Sequence, residues 1–229
     1  MTYGNGFTPA VGKIYNGNVT VRVEKLFEGA LAVPEEGLVF YMPFKGTAQP
    51  EVGAVDRAME NMPGYGEQAG IQYATFSGSE YFRGKLTAPV GGSGGAFSMA
   101  CSFKVTGTSV DQRFLQLNDF EALQIRDYYG TNVFAAIDVN LGGIPSDWMS
   151  VVFTWDGDYN NPLQVYKNGQ LAGTTRRWPQ ATDMLYIGVA HYWESPYAFY
   201  GNMFDVAVWN RVLTPEEIAQ VASGAVSLN

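Results

Sequence analysis

The stretch of sequence that decides the fold runs from residue 148 to residue 221. It contains the segments WMSVVFTWDG (148–157), VYKNG (165–169), LYIG (185–188) and GNMFDVAVWNRVLTPEEI (201–218). Apolar strands separated by tight turns are followed by a Gly-led final strand and then by one capped helix. This order predicts an antiparallel β-sandwich that ends in a short C-terminal helix.

Two local signals support these elements. Asn168 and Gly169 form an Asn-Gly pair, which readily adopts the two positive φ angles of a type I′ hairpin turn. Thr214 is placed to cap the helix, and Glu217 completes a capping box with it. Gly224 predicts the C-terminal stop of this helix.

Further strands are predicted towards the N-terminus. Residues 97–105 alternate strictly between apolar and small or polar side chains, which predicts a strand with one buried face and with Cys101 as a small core residue. Residues 114–117, 122–125 and 133–137 predict additional strands at intervals typical of sandwiches. Residues 45–72 are rich in Gly, Pro and polar groups, so they predict a long covering loop, with one short element at residues 54–56.

A break in the pattern at residues 34–37 divides the chain. We expect an N-terminal arm or small hairpin at residues 1–36, serving as a docking or oligomerisation segment, and a β-sandwich domain at residues 37–229. Within the arm, Val19, Val21 and Val23 alternate after a turn signal at Asn16-Gly17. The apolar face of the arm needs a partner, which is either the sandwich behind it or another subunit.

Composition excludes several classes of function. The formal net charge of −8 repels polyanions, so we expect no nucleic-acid partner. The single cysteine cannot form an internal disulfide. No apolar stretch is long enough to span a bilayer, and the residues after Met1 lack the features of a secretory signal. We therefore expect neither membrane insertion nor signal-dependent export.

The segment GIQYATFSGSEYF (70–82) and the four segments quoted above occur in the order typical of one family. With them, the chain resembles the laminin G-like, concanavalin A-like jelly-roll family, whose broad branch includes the pentraxins. The resemblance covers about residues 38–222 and implies an all-β fold of two stacked antiparallel sheets. It also implies glycan or protein binding at the loop rim, often with calcium. Glu80 and Asp205 match positions where the family carries acids, and at Asp205 the implied role is either structural hydrogen bonding or metal binding.

The sequence offers little evidence for catalytic residues. Asp119-Phe120-Glu121 is the nearest approach to the paired carboxylates of a sandwich glucanase, and surface acids explain it better. His191 is the single histidine, which excludes a multi-histidine zinc site, and no Gly-x-Ser-x-Gly elbow accompanies it. We expect no catalytic residues and a protein that is not an enzyme.

Calcium binding stays open at the level of sequence. Hard cations prefer several oxygen ligands from carboxylates, carbonyls and amides. The acid-bearing loop positions are Asp138 with Asn140, Asp156 with Asp158, and Glu80. None has the spacing of an EF-hand, so the sequence assigns no metal ligands.

Aromatic residues on loops form the candidate ligand-binding surface. Exposed rings stack on sugar faces or anchor protein interfaces, whereas the alternative is that these rings close the ends of the sandwich core. The predicted ligand-binding residues are Tyr128, Tyr129, Trp178, His191, Tyr192, Trp193 and Tyr197.

Two functional hypotheses follow. The first is a non-enzymatic virion protein of a tailed bacteriophage: a capsid decoration or tail-fibre attachment protein at the virion surface. It would contact other virion proteins or its own copies, for instance as a trimer, and glycans of the host surface. The alternative is a calcium-assisted carbohydrate-binding module of a bacterial protein, located outside the cell or on its surface. Sugar binding that a chelator abolishes would favour the module, whereas oligomerisation that requires residues 1–36 would favour the virion protein.

Overall fold

The structure is a computed structural model that describes residues 33–58, 62–107, 111–126, 132–189 and 198–227. In these ranges, fifteen strands are followed by one helix. The strands are β1 Leu38–Met42, β2 Ala54–Ala58, β3 Gly64–Gln68, β4 Ile71–Ser77, β5 Phe82–Val90, β6 Phe97–Val105, β7 Gln112–Leu117, β8 Phe120–Arg126, β9 Asn132–Ala135, β10 Val139–Gly143, β11 Met149–Trp155, β12 Leu163–Lys167, β13 Gln170–Thr175, β14 Thr182–Ile187 and β15 Tyr200–Trp209, and the helix is α1 Pro215–Ser227.

The strands form two antiparallel sheets that pack face to face. Sheet A contains eight described strands in the order β13-β12-β11-β6-β15-β4-β3, with β1 as a further neighbour of β15. Sheet B contains seven described strands in the order β10-β9-β8-β7-β14-β5-β2. Neighbours such as β6 and β15 are far apart in sequence, because the chain crosses between the sheets. This arrangement confirms the predicted jelly-roll sandwich.

The core between the sheets is rich in aromatic rings. Phe103 of β6 packs against Phe114 of β7 with ring centroids 4.7 Å apart, and Phe114 stacks on Phe199 at the same distance. Each fully buried ring of this size stabilises the fold by roughly 2–3 kcal/mol. Cys101 is 1% exposed among these residues, and burial raises the pKa of its thiol. It is a core residue, as predicted.

Strand β6 buries both of its faces, so the prediction of a single buried face was wrong. Its outward-facing Ala100 packs with Val152, Ile218 and Val221 beneath helix α1. The hydroxyl of Ser98 accepts a hydrogen bond from the backbone of Leu213 and donates one to the carbonyl of Arg211, both at 2.9 Å. The helix therefore acts as a third layer that covers the outer face of sheet A.

Helix α1 begins with the predicted capping box. The backbone N–H of Thr214 donates to the Glu217 carboxylate at 2.8 Å, and that of Glu217 donates to the Thr214 hydroxyl at 3.3 Å. Arg211 also holds Glu217 through two bonds of 2.6 and 2.7 Å, which lower the pKa of Glu217. The helix continues past Gly224 to Ser227, so the predicted stop was wrong. A glycine inside a helix costs only about 1 kcal/mol, which is too little to end it here.

Three predictions concern a hairpin turn, a loop and the end of a strand, and their outcomes differ. The turn between β12 and β13 is confirmed, because Asn168 and Gly169 have φ angles of 50° and 79°. In the predicted covering loop at residues 45–72, the short element expected at residues 54–56 is strand β2, which pairs with β5. The loop prediction was wrong at β3, which is a strand paired with β4. The strand predicted at 133–137 ends at Ala135, because Ala136 and Ile137 turn the chain with φ angles of 47° and 70°.

The last residues of the predicted arm dock on sheet A. The indole N–H of Trp209 donates to the backbone carbonyl of Pro34 at 2.7 Å. The Nε of Arg211 donates to the backbone carbonyl of Glu36 at 2.8 Å. Val33 packs beside them against the cluster beneath helix α1. Residues 1–32 lie outside the described residues, so the boundary at residue 36 stays a prediction. In the described part of the chain, no helix has both the length and the apolar character needed to cross a membrane.

Replacing Thr214 with Ala should lower the free energy of unfolding by about 1 kcal/mol, because the hydroxyl that caps helix α1 is lost. Thr214→Ser keeps that hydroxyl and is the matched control. Urea unfolding monitored by circular dichroism measures both variants. Equal stability of Thr214→Ala and the unaltered protein would contradict the role of the cap.

Candidate functional site at the aromatic rim

Five loops meet at one end of the sandwich. They connect β5 to β6, β7 to β8, β9 to β10, β11 to β12 and β13 to β14. Backbone hydrogen bonds join three of them: Gly94 donates to the carbonyl of Gly157 at 2.9 Å, and Gly92 donates to the carbonyl of Pro179 at 3.0 Å. The loops β5–β6, β11–β12 and β13–β14 therefore form one continuous surface.

Three aromatic side chains, Trp155, Tyr159 and Trp178, form a cluster on this surface that we call the aromatic rim. Trp155 is the last residue of β11, and it lies 6.3 Å from the core ring of Phe97 and is 2% exposed. Its ring centroid is 5.3 Å from Tyr159 and 6.0 Å from Trp178. Tyr159 is 40% exposed and Trp178 is half-buried. Trp155 thus supports two rings that reach the surface.

The loop that carries Tyr159 is fixed by its own hydrogen bonds. The Asp156 carboxylate accepts bonds from the backbone of Asp158 at 2.9 Å and from the Asn161 amide at 2.7 Å. The Asp158 carboxylate accepts bonds from the backbone and the side chain of Asn160, both at 2.9 Å. The carbonyl of Asn161 in turn accepts the indole N–H groups of both rim tryptophans, at 3.3 and 3.2 Å. The rim is therefore held in one arrangement before any ligand arrives.

The loop that carries Trp178 is attached to the opposite sheet. The Nε of Arg177 lies 3.1 and 3.0 Å from the two carboxylate oxygens of Asp138, which follows β9 of sheet B. The hydroxyl of Thr175 donates to the same carboxylate at 3.0 Å. Both side chains of the Arg177–Asp138 pair are about half exposed, so the pair stabilises the fold only weakly. Its main consequence is to fix the position of the loop and to neutralise the charge of Arg177.

Of the predicted ligand-binding residues, Trp178 belongs to the aromatic rim. The other six, Tyr128, Tyr129, His191, Tyr192, Trp193 and Tyr197, lie outside the residues that the structure describes. Strands β8 and β14 both run away from the rim, so Arg126 and Val189, the last described residues before these segments, lie at the opposite end of sheet B. These six assignments stay predictions.

Sequence reasoning missed Trp155 and Tyr159. The sequence predicts Trp155 only as the end of a strand, and Tyr159 lies in the segment DGDYNN (156–161), whose acids are only calcium candidates in the sequence. The signal that could have found them is the run of Asp and Asn around an aromatic residue directly after a buried strand. Such residues bond their own backbone and form rigid turns that hold a ring at the surface.

The candidate calcium ligands are engaged elsewhere. Glu80 accepts four hydrogen bonds from the backbone and hydroxyl groups of Ser77 and Ser79. Burial raises the pKa of Glu80, but these bonds outweigh it and leave the pKa below its usual value. Asp138 is bound to Arg177, and the Asn140 amide oxygen accepts the backbone N–H of Gly142 at 2.8 Å.

Asp156 and Asp158, the remaining pair, accept the bonds that shape the rim loop. Within the described ranges, no three His, Cys, Asp or Glu side chains are grouped as a metal site. Most of the candidate carboxylate oxygens already accept hydrogen bonds that hold turns in place. In the described part of the chain, these candidate ligands therefore do not fit a calcium ion.

The acid of the last strand, Asp205, has a structural role. It lies at a β-bulge with a φ angle of 51°, where β15 changes its neighbour from β4 to β1. Its carboxylate accepts the hydroxyl of Tyr41 at 2.7 Å. Burial raises the pKa of Asp205 to about 6, although the Tyr41 bond and Lys45 oppose this rise, and burial also raises the pKa of Tyr41.

In the motif considered for glycan hydrolysis, Asp119 is not part of a strand. Asp119 lies in the exposed turn between β7 and β8, and the next residue, Phe120, is buried at the start of β8. Asp119 is therefore a turn residue at the rim end of sheet B, as the surface interpretation predicted.

Comparison with known protein families identifies the superfamily of this chain. The family described as the concanavalin A-like lectin/glucanases superfamily matches residues 88–219, which is more than half of the chain. The protein belongs to this superfamily. The match confirms the resemblance seen in the sequence. Comparison with curated protein sequences found no match.

Solved structures share the fold of this superfamily member at low sequence identity. Domain 4 of AbnA, an extracellular arabinanase from Geobacillus stearothermophilus in complex with arabinotriose, is 17% identical with a TM-score of 0.57, covering 82% of this chain and all of that domain. The ligand-binding domain of botulinum neurotoxin serotype D, in complex with N-acetylneuraminic acid, is 12% identical with a TM-score of 0.58. The match covers 83% of this chain and 51% of the toxin chain. Trypanosoma rangeli sialidase in complex with the inhibitor DANA is 15% identical with a TM-score of 0.55. The match covers 83% of this chain and 33% of the sialidase chain. The chain thus spans about half of the toxin domain and a third of the sialidase, and the likeness shows the fold.

Asp205 makes a testable contribution to the pH dependence of stability. Its pKa is about 6 in the folded protein and near 3.8 ordinarily, so the folded state holds the proton more tightly. Its contribution is full below pH 4 and is lost as the pH rises through 6. Between pH 7 and pH 4, the unaltered protein should gain up to ~3 kcal/mol relative to Asp205→Asn, at about 1.4 kcal/mol per pH unit.

Urea unfolding at a series of pH values measures this difference. The charges of Lys45 and Glu51, which act on Asp205, are present in both proteins, so their contributions largely cancel. Asp147→Asn, at an exposed position, is the matched control and should follow the unaltered protein at every pH. Parallel curves for Asp205→Asn and the unaltered protein would contradict the prediction.

Proposed function

We propose that this protein is a non-catalytic glycan-binding module whose described binding surface is the aromatic rim. The observation that carries the proposal is the state of Tyr159 and Trp178: both rings reach the surface, yet hydrogen bonds and Trp155 hold them in place. Rings held in this way lose little conformational freedom on binding, so more of the contact energy appears as affinity.

The chemistry of the rim suits a sugar. A sugar ring has an apolar face of C–H groups, which packs on an aromatic ring, and a periphery of hydroxyl groups, which need hydrogen-bond partners. Exposed polar residues follow both rings in the chain: Asn160 comes directly after Tyr159, and Gln180 comes two residues after Trp178. A partner with one apolar face and a polar edge therefore fits better than a wholly apolar ligand.

The comparisons support this proposal through the fold. Two of the matched domains are described in complex with sugars: arabinotriose in the arabinanase domain and N-acetylneuraminic acid in the toxin domain. The arabinanase domain is matched over its whole length, so a sandwich of this size exists as one domain of a larger secreted enzyme. We infer an extracellular or surface location from this likeness and from the proposed ligand.

The absence of catalysis is part of the proposal. The described carboxylates at the rim already accept bonds that shape its loops: Asp156 and Asp158 in one loop and Asp138 in another. A general acid or a nucleophile must be able to change its bonding during the reaction. These three groups therefore serve structure better than turnover.

The more specific setting at a virion surface rests on the predicted arm. It includes docking on virion proteins and self-association as an oligomer such as a trimer. Four residues of that arm, 33–36, are among those described, and they pack on their own sandwich. The virion role stays a prediction, and cryo-microscopy of purified particles is its direct check.

Removing either exposed ring should weaken glycan binding. After a glycan array has identified a ligand, Trp178→Ala and Tyr159→Ala should each lower the affinity by about 30-fold, the effect of losing an anchor worth about 2 kcal/mol. Isothermal titration calorimetry measures the change. Tyr65→Ala removes a comparably exposed ring from edge strand β3, and it should bind as the unaltered protein does. Equal losses of affinity in all three variants would contradict the assignment of the aromatic rim as the binding surface.

Binding should not depend on calcium, in contrast to the calcium-assisted module considered from the sequence. The reason is that the candidate ligands Glu80, Asp138 and Asp156 are engaged in hydrogen bonds within the protein. The same titration in 5 mM EDTA and in 5 mM calcium chloride should give affinities within twofold of each other. A loss of binding in EDTA that calcium restores would overturn this part of the proposal.

A further inference from the structure

We propose that the aromatic rim selects a neutral sugar and rejects acidic ones such as uronic and sialic acids. This inference rests on the proposed glycan binding and adds the class of glycan. It follows from the angle between the two exposed rings and from the distribution of charge around them.

The angle between the rings favours a single sugar unit. Tyr159 and Trp178 have centroids 5.3 Å apart and planes inclined at 75°, so they form a corner rather than a flat platform. A sugar ring placed in a corner stacks on one aromatic face and meets the second ring along its edge. The flat surface of an insoluble polysaccharide would need rings that are nearly coplanar. The rim therefore suits one unit of a soluble glycan.

The cation next to Trp178 is already neutralised. An acidic sugar is recognised most strongly by an arginine that is free to bind its carboxylate. Arg177 precedes Trp178 in the chain, but its Nε lies 3.1 and 3.0 Å from the two oxygens of Asp138. An acidic sugar that approaches the Nη groups of Arg177 meets the Asp138 carboxylate bound to the same guanidinium, and this negative charge offsets the attraction. The structure thus places a competing carboxylate where the ligand would need a cation.

The other side of the corner carries negative charge. Asp156 and Asp158 are exposed and lie in the loop of Tyr159. Against them, Arg176 is an exposed basic residue on the loop of Trp178. Two carboxylates beside one ring and one guanidinium beside the other leave the corner negative, in line with the net charge of −8. At separations of several ångströms in a solvated site, this balance should weaken an anionic sugar by about 10-fold.

A glycan array with neutral, uronic and sialylated members tests the proposal. The expected result is that the best ligands are neutral. If the best ligands are acidic, the selectivity proposed here is overturned while glycan binding stands. If no member of the array binds, glycan binding itself is overturned and the selectivity falls with it.

Salt dependence provides a test that needs no variant. Repulsion between the rim and an anionic sugar is screened by salt, whereas attraction to a free arginine is weakened by it. Raising sodium chloride from 50 to 500 mM should therefore strengthen the binding of N-acetylneuraminic acid or trigalacturonic acid severalfold and leave arabinotriose within twofold. Weaker binding of the acidic probes at high salt would overturn the proposal.

A gain of function provides the sharpest test. Asp138→Asn keeps an acceptor for Thr175 but removes the charge that neutralises Arg177. The ratio of affinities for trigalacturonic acid and arabinotriose should rise by about 10-fold in this variant. Asp183→Asn, which frees Lys85 elsewhere on sheet B, is the matched control and should leave the ratio unchanged. An unchanged ratio in folded Asp138→Asn would overturn the role assigned to the pair.

Discussion

Strand β15 imposes the constraint on which the rest of the sandwich depends, because it must pair with three other strands at once. One of its edges pairs with β6, while the other pairs with β4 over residues 200–203 and with β1 over residues 206–209. The change of partner requires a bulge, and Asp205 adopts a positive φ angle there. The Tyr41 hydroxyl satisfies the carboxylate that this bulge turns towards β1. A buried acid with a raised pKa is thus the consequence of joining two strands to one edge.

The core and the candidate site are parts of one aromatic network. Phe97 at the start of β6 contacts Trp155 at the end of β11, and Trp155 supports Tyr159 and Trp178 at the surface. The position of the exposed rings is therefore set by the same packing that stabilises the fold. A rim of this kind is rigid because its supports are core residues and its loops are closed by their own hydrogen bonds. This rigidity makes a glycan-binding role physically reasonable for loops of only a few residues.

The acids of this chain illustrate why residue type alone does not identify a site. Glu80, Asp138, Asp156 and Asp158 occupy loop positions that suit calcium, and in the sequence they are indistinguishable from ligands. In the structure each accepts hydrogen bonds from nearby backbone or side-chain donors, so much of its capacity as an acceptor serves to hold the fold. The partner of Asp138 is 39 residues away in the chain, and no local pattern could have revealed it.

The sequence by itself determined the class of fold, most strands, the Asn168-Gly169 turn and the capping box of Thr214 and Glu217. These features depend on side-chain periodicity and on contacts within a few residues, which the order of amino acids encodes directly. Only the tertiary structure decided that both faces of β6 are buried, that Gly64–Gln68 is a strand, and that Trp155, Tyr159 and Trp178 share one surface. Each of these depends on elements that are distant in sequence, because a helix or strand from another part of the chain supplies the pairing or the cover.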